Sequence, residues 1–168
     1  FKAHIAPHTI KIASMFSVMS RLKQSQKCDI LTKMKIYNGE DVIEKGRVKK
    51  IDIKDLREES RDEGMSGIST RFIMKSIDAA LSDSENGFVT PISIMNSITS
   101  QVKEQLINED FRERCLELIQ KVVREEYLKI LENEIAKAFV TAYEEQAQSL
   151  FDTYLDNAEA HTTRINIK

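Results

Sequence analysis

The 168-residue sequence predicts a mainly α fold. Three observations lead to this prediction. Apolar residues recur at helical spacing over most of the chain, strand-like alternation is scarce, and residues 110–161 contain neither Gly nor Pro. Hydrophobic residues make up 41% and charged residues 31%, a composition typical of a soluble globular protein and unlike that of a disordered tail. No apolar run approaches the length of a transmembrane helix.

Two helices are predicted in the N-terminal region. Pro7 is suited to the start of the first one, because its fixed backbone angle matches a first helical turn. The buried face of this helix should hold Ile12, Met15, Phe16, Met19 and Leu22. After a polar linker at 23–27, a short helix is expected over 29–37, with Leu31 and Met34 pointing inward.

Residues 39–51 are predicted to form a loop, since they contain two glycines and show no clear period. Within it, 42–43 and Val48 could pair as a short hairpin. Asp52 is then positioned to cap a short helix that carries Leu56 and ends before Gly64.

The next helix places an arginine where helix electrostatics disfavour it. Ser69 should cap this helix, which ends near Asp83 and whose apolar face holds Phe72, Ile73, Ile77, Ala80 and Leu81. Arg71 lies in the first turn, where a cation opposes the helix macrodipole by about 0.3–1 kcal/mol. Helix N-terminal amides beside an arginine can bind an anion, phosphate in particular. The alternative is an exposed arginine paired with a nearby acid, either Glu58, Glu59, Asp62 or Glu63.

The C-terminal half continues the helical pattern. Thr90 followed by Pro91 predicts a helix start, and its buried stripe should be Ile92, Met95, Ile98, Val102 and Leu106. The stripe in 110–161 is too long for one typical globular helix, so we expect a break near Arg124, and another could lie near Glu134. A helical bundle core is favoured over a two-stranded coiled coil, because the stripe is broad and includes Phe139, Tyr143 and Phe151.

The sequence lacks the motifs of several catalytic and metal-binding sites. It contains no G-x-x-x-x-G-K-[ST] phosphate loop and no protein-kinase motif set. His4 and His8 have a helical metal-ligand spacing, but no third ligand is evident. Cys28 and Cys115 stand far apart and read as reduced thiols. The methionines at 15, 19, 74 and 95 are predicted to pack in the core.

Charge is distributed unevenly along the chain. Residues 1–84 carry 16 Lys/Arg and 12 Asp/Glu, whereas residues 85–168 carry 9 and 15. The second half is therefore unsuited to binding a phosphate backbone, and no nucleic-acid partner is expected. The N-terminal sequence lacks the organisation of a signal peptide and reads as a cut edge, which suggests a piece of a longer protein.

Four segments together resemble the bacterial PrkA family, which is described as serine protein kinases built on an AAA+ ATPase core. They are HIAPHT at 4–9 with ASMFSV at 13–18, KMKIYNGE at 33–40, EGMSGISTRF at 63–72, and AF at 138–139 with YE at 143–144 and YLDNA at 154–158. The resemblance implies an AAA+ lid-like helical subdomain over 1–84 and a PrkA C-terminal helical domain, with long helices, over 85–168. It also places Arg71 at the position of the sensor-two arginine, which contacts nucleotide phosphates.

The same resemblance implies a role for the whole chain. The fragment itself would be non-catalytic, serving nucleotide sensing and regulatory or oligomeric contacts, while ATP and Mg would bind in the full-length parent and not tightly here. The expected partners are a protein substrate or regulator and further copies of the parent, in the cytoplasm, without a membrane, in stress or sporulation signalling. Two alternatives remain: a freestanding helical adaptor, and a hydrolase that uses an unrecognised Ser/Lys pair.

Overall fold

The computed structural model describes residues 4–44, 47–48, 51–60, 62–84 and 87–163. Its helical content confirms the mainly α prediction. The helices are α1 Thr9–Arg21, α2 Ile30–Tyr37, α3 Ile53–Glu59, α4 Thr70–Ser82, α5 Pro91–Gln105, α6 Glu109–Glu117, a π-helical segment Leu118–Val123, and α7 Arg124–Thr163. The chain divides into two compact units, Phe1–Tyr127 and Leu128–Lys168. A division at residue 84 stays a prediction.

Short strands join distant parts of the first unit. β1 His4–Ile5 pairs in parallel with β4 Phe88–Val89, and Thr9 donates a 3.3 Å hydrogen bond to the Val89 carbonyl. Sequence patterning did not indicate this pairing, because a two-residue strand is too short to show alternation. β2 Ile43–Glu44 and β3 Arg47–Val48 form an antiparallel hairpin, which confirms that prediction.

Helix α1 lies at the centre of the first unit and contacts α2, α4, α5 and the π-helical segment. The five apolar residues predicted for its buried face are all buried. The helix begins at Thr9, two residues after Pro7, and His8 at the N-cap adopts a left-handed conformation with φ 65°. Pro7 therefore lies in the turn that precedes the helix.

The buried faces of α2 and α5 differ from prediction. In α2, the buried residues are Ile30, Lys33 and Ile36, whereas Leu31 and Met34 are half-buried. Periodicity alone cannot favour a lysine over a leucine as the buried residue, because it ignores partners elsewhere in the chain. In α5, Ile92 is exposed and Ile94 is buried. Met74 of α4 is also exposed, so the prediction that all four methionines pack in the core is wrong for this one.

The caps predicted at Asp52, Ser69 and Thr90 are confirmed, and Asp29 and Asn108 cap helices without having been predicted to. Asp29, Asp52, Ser69, Thr90 and Asn108 each accept a hydrogen bond at the start of a helix. Thr90 and Ser93 form a reciprocal capping box. Gly39 ends α2 with φ 76°, a conformation that glycine adopts without strain.

The long C-terminal helical region departs from prediction in two ways. The chain stays helical at the break predicted near Arg124, where only a change to π-helical geometry precedes α7. Helix α7 then continues without a break through Glu134 to Thr163. Its apolar stripe is not buried: Phe139 is 63% exposed and Leu150 is 73% exposed. The second unit thus forms a long helix, and packing of this stripe into a bundle core is not seen in the described residues.

Both cysteines are buried, Cys28 in a cluster with Ile36 and Leu56. Burial raises the pKa of Cys115 to about 11, so it stays an unreactive thiol at neutral pH. Within the described residues, none of the helices combines the length and apolar content needed to cross a bilayer.

Candidate functional site

Arg71 lies on the exposed surface in the first turn of α4. The Ser69 side chain caps the helix by accepting a 3.2 Å hydrogen bond from the Phe72 amide. The first turn of α4 contains no acidic residue that would offset the arginine charge. The guanidinium is therefore presented to solvent beside the positive end of the helix dipole.

Of the four acids considered as partners for Arg71, Asp62 and Glu63 pair with other residues, and neither Glu58 nor Glu59 pairs with Arg71. Asp62 pairs with Lys23 at 2.5 Å, and Glu63 pairs with Lys33 at 2.5 Å. In the part of the chain that the structure describes, the Arg71 side chain forms neither an ion pair nor a hydrogen bond. This geometry does not match the alternative in which Arg71 is a paired surface residue.

The loop that precedes α4 is anchored on the C-terminal end of α1. Arg21 donates hydrogen bonds to the carbonyls of Ile68 at 3.0 Å and Gly64 at 3.2 Å. The Gly64 amide donates to the Arg21 carbonyl at 3.1 Å, and the Ile68 amide donates to Ser20 Oγ at 3.0 Å. Four hydrogen bonds thus fix the chain just before Ser69.

Gly67 allows this close approach. A Cβ atom at Gly67 would lie 2.6 Å from Cγ of Arg21 and 2.9 Å from the Ser20 carbonyl oxygen, and its φ of 135° disfavours any other residue. The glycine in this motif therefore has a steric role in seating the loop on α1.

A buried charged cluster holds the other end of the loop. Glu63 accepts hydrogen bonds from Lys33 Nζ at 2.5 Å, from the Lys23 amide at 2.8 Å and from the Tyr37 hydroxyl at 2.7 Å. Lys33 is fully buried and also donates to the Lys23 carbonyl at 3.1 Å. Each carboxylate oxygen of Glu63 is satisfied, as a buried charge requires.

Electrostatics within this cluster keep Glu63 ionised. Burial works against its charge, but the hydrogen bonds from Lys33, Tyr37 and the Lys23 amide outweigh burial and lower its pKa below the ordinary value. Burial and the hydrogen bond to Glu63 raise the pKa of Tyr37, so its hydroxyl stays protonated. Because Lys33 is engaged by Glu63 and Lys23, it is poorly placed to act as the base of a Ser/Lys hydrolase.

The sequence contained a signal for this cluster that periodicity did not use. Ile30, Lys33 and Ile36 follow each other at three-residue spacing, which puts a lysine in the middle of an apolar face. A lysine at such a position requires a buried acid, yet Glu63 lies 30 residues away and nothing local identifies it.

The structure gives no support to a metal site. Across the described residues, no group of three or more His, Cys, Asp or Glu side chains lies close enough to hold a metal ion. His4 instead packs edge-on against Phe88, with ring centroids 5.3 Å apart.

Comparison with known proteins identifies the family. Residues 31–168 match the model of the PrkA serine protein kinase C-terminal domain, and residues 1–29 match that of the PrkA AAA domain. The chain is 38% identical over 168 residues to the ATP-dependent protease PrkA of Bacillus subtilis strain 168, covering 98% of this chain and 26% of that protein. It is 30% identical over 159 residues to the serine/threonine kinase YeaG of Escherichia coli strain K12, covering 94% of this chain and 24% of that protein.

No solved structure gives a significant match. The chain spans about a quarter of the length of these curated relatives. Since one family model covers most of its residues, the chain belongs to the PrkA family and corresponds to the C-terminal portion of such a protein.

Proposed function

We propose that this chain is the non-catalytic C-terminal portion of an ATP-dependent PrkA-type protein, and that Arg71 is its nucleotide-sensing residue. The names of the relatives, one a protease and one a kinase, both fit a parent with an AAA+ ATPase core. ATP and Mg would bind in that core, which would hold the phosphate loop that this chain lacks.

The observation that carries the proposal is the exposed, unpaired side chain of Arg71 in the first turn of α4, directly after a firmly anchored loop. A guanidinium can donate two parallel hydrogen bonds to a phosphate, and its support must be rigid for that geometry to be precise. The contacts of Arg21 and Glu63 provide such a support. When nucleotide is bound, Arg71 would follow the terminal phosphate and link hydrolysis to movement of the lid.

The test is ATPase turnover of the full-length protein. Arg71→Ala should lower turnover at least tenfold, about 1.4 kcal/mol in the activation barrier, with no change in the thermal unfolding midpoint. Lys75→Ala is the matched control, because Lys75 is an exposed cation one turn later on α4 and should leave turnover unchanged. Normal turnover in the Arg71 variant would exclude the role.

A second function, protein binding, is favoured by the exposed stripe of α7. Phe139, Tyr143, Leu150 and Tyr154 are each more than half exposed, and helical geometry places them within about 60° of arc. An apolar face of this extent on a helix is typical of an interface. We propose that it is covered by a second copy of the parent protein, as a regulatory or oligomeric contact.

The mass of the full-length protein in solution tests this second function. Phe139→Ser with Leu150→Ser should reduce the assembly to smaller species, whereas Gln148→Ser, an exposed polar position on the same helix, should not. If the double variant keeps the wild-type mass, as the Gln148→Ser control should, the stripe is not the contact between copies. Binding of a different protein, as expected for an adaptor, would then explain the stripe better.

We place the parent in the cytoplasm and in stress or sporulation signalling, as proposals that rest on the family alone. Cell fractionation followed by detection of the full-length protein tests the location, and recovery in the membrane fraction would contradict it. A nucleic-acid partner remains unexpected, given the excess of acidic residues in 85–168.

A further inference from the structure

A groove of about 320 Å³ lies on the surface of the first unit, and Arg71 is not among the residues that line it. Met15 and Val18 of α1 and Met34 of α2 provide apolar walls, while Lys35 and Glu126 provide charge. This volume is at the lower end of the range for small-ligand sites, about 300–1,000 Å³. Methionine side chains adapt to ligands of different shape, which suits such a wall.

Glu126 in this groove is incompletely satisfied. The residue is only 9% exposed, and its Oε1 pairs with Lys35 Nζ at 2.5 Å. Its second oxygen, Oε2, is buried and accepts no hydrogen bond from any group in the described part of the chain. A buried carboxylate oxygen without a donor is unfavourable, so a group that supplies one gains free energy on entering.

The chemistry of the groove selects the ligand. A carboxylate oxygen forms its strongest hydrogen bonds with cationic N–H donors, and an anion placed there would face like charge. The positive charges of Lys35 and the exposed Lys11 balance the negative charges of Glu126 and the exposed Glu40 around the rim. The buried oxygen of Glu126 is therefore the feature that favours a cationic ligand over an anionic one. Lys35 retains some exposure, at 28% of its side chain, and can turn outward when another cation binds.

We propose that this groove binds a guanidinium or ammonium group carried on an apolar body, with Glu126 Oε2 as the acceptor. The shared chemistry could come from a free amine or from an arginine or lysine side chain of a peptide. The site is separate from the nucleotide-sensing role of Arg71 and does not depend on it.

The first test is amide NMR of the 168-residue chain titrated with benzamidine and, separately, with benzoate. The two probes have similar shapes and opposite charges. Benzamidine should shift the amides of Val18, Met34 and Lys35, whereas benzoate should leave them in place. Agmatine and the blocked peptide acetyl-Leu-Arg-Leu-amide then distinguish a free amine from a peptide side chain as the source of the cation. The probe that binds more tightly indicates the native ligand class.

Variants decide whether Glu126 is responsible. Glu126→Gln should weaken benzamidine binding about tenfold, while Glu125→Gln, the exposed neighbour, should leave it unchanged. Lys35→Gln should strengthen binding, because it removes the competing cation. Circular dichroism checks that each variant is folded.

The proposal would be overturned by any of these outcomes: no shift at groove residues with benzamidine, equal binding of benzoate, or wild-type affinity in folded Glu126→Gln. Should Glu126→Gln fail to fold, the Lys35→Gln result and the comparison of the two probes still decide. Weaker benzamidine binding in folded Lys35→Gln would contradict it as well.

Discussion

At the scale of single residues, Gly67 has a more restrictive environment than Gly39 or Gly64. The backbone of α1 is in contact on one side, and the residue has φ 135°. Gly67→Ala should therefore lower the free energy of unfolding by about 2–3 kcal/mol, because the methyl group would displace the loop and strain the backbone. Urea denaturation of the 168-residue chain measures this loss.

Gly39 is the matched control for this substitution. It also has positive φ, at 76°, but a Cβ there would meet no heavy atom within 4 Å. Gly39→Ala should lower the free energy of unfolding by only about 1 kcal/mol, from backbone conformation alone. Equal losses at both positions would show that contact with α1 does not make Gly67 necessary.

At the scale of elements, the Glu63 cluster joins α2 to the loop before α4. The folded pKa of Glu63 lies below its ordinary value of 4.5. Its ionised form therefore contributes stability that is fully present above about pH 4.5 and is lost as the pH falls through the folded pKa. We predict that Glu63→Gln reduces the dependence of the urea midpoint on pH below this value.

Glu58→Gln serves as the control, because Glu58 is exposed and lies outside the cluster. Its pH profile should match that of the wild type. Some pH dependence should persist in Glu63→Gln, since the pKa values of Asp29, Asp62 and Glu117 are also lowered in the folded state. An unaltered profile in Glu63→Gln would show that the cluster does not stabilise the fold through its charge.

Elements whose signals are local could be predicted from the sequence. The starts of α4 and α5 depend on Ser69 and Thr90, each of which caps a backbone amide three residues later. The buried face of α2 could not be predicted from the sequence, because burial of Lys33 depends on a carboxylate 30 residues away. The pairing of β1 with β4 joins residues more than 80 positions apart and leaves no local pattern.

The candidate site was predictable to a similar degree. Ser69 and the unusual position of Arg71 could be read from the sequence, since both follow from the rules of a helix N-terminus. The anchoring by Arg21 could not, because it uses backbone carbonyls that any sequence would offer. What Arg71 contacts in a full-length protein stays a prediction.

At the scale of the whole molecule, the two compact units differ in how their apolar residues are placed. The first unit buries residues from α1 through the π-helical segment, including Phe16, Ile98 and Ile119. From 131 to 159, by contrast, every residue is exposed. Most of the stability of helices in proteins comes from tertiary packing, so the stability of the first unit should come from its own core.

We therefore predict that ending the chain after Ile135 preserves the cooperative unfolding of the first unit, with a midpoint within about 2 °C of that of the 168-residue chain. Two turns of α7 beyond Tyr127 remain in this variant, which protects Glu126 from fraying at the new end. Near-ultraviolet circular dichroism follows tyrosine packing in the first unit, and the far-ultraviolet signal should fall by the helix removed. A midpoint lowered by about 5 °C or more would mean that residues 136–168 stabilise the first unit.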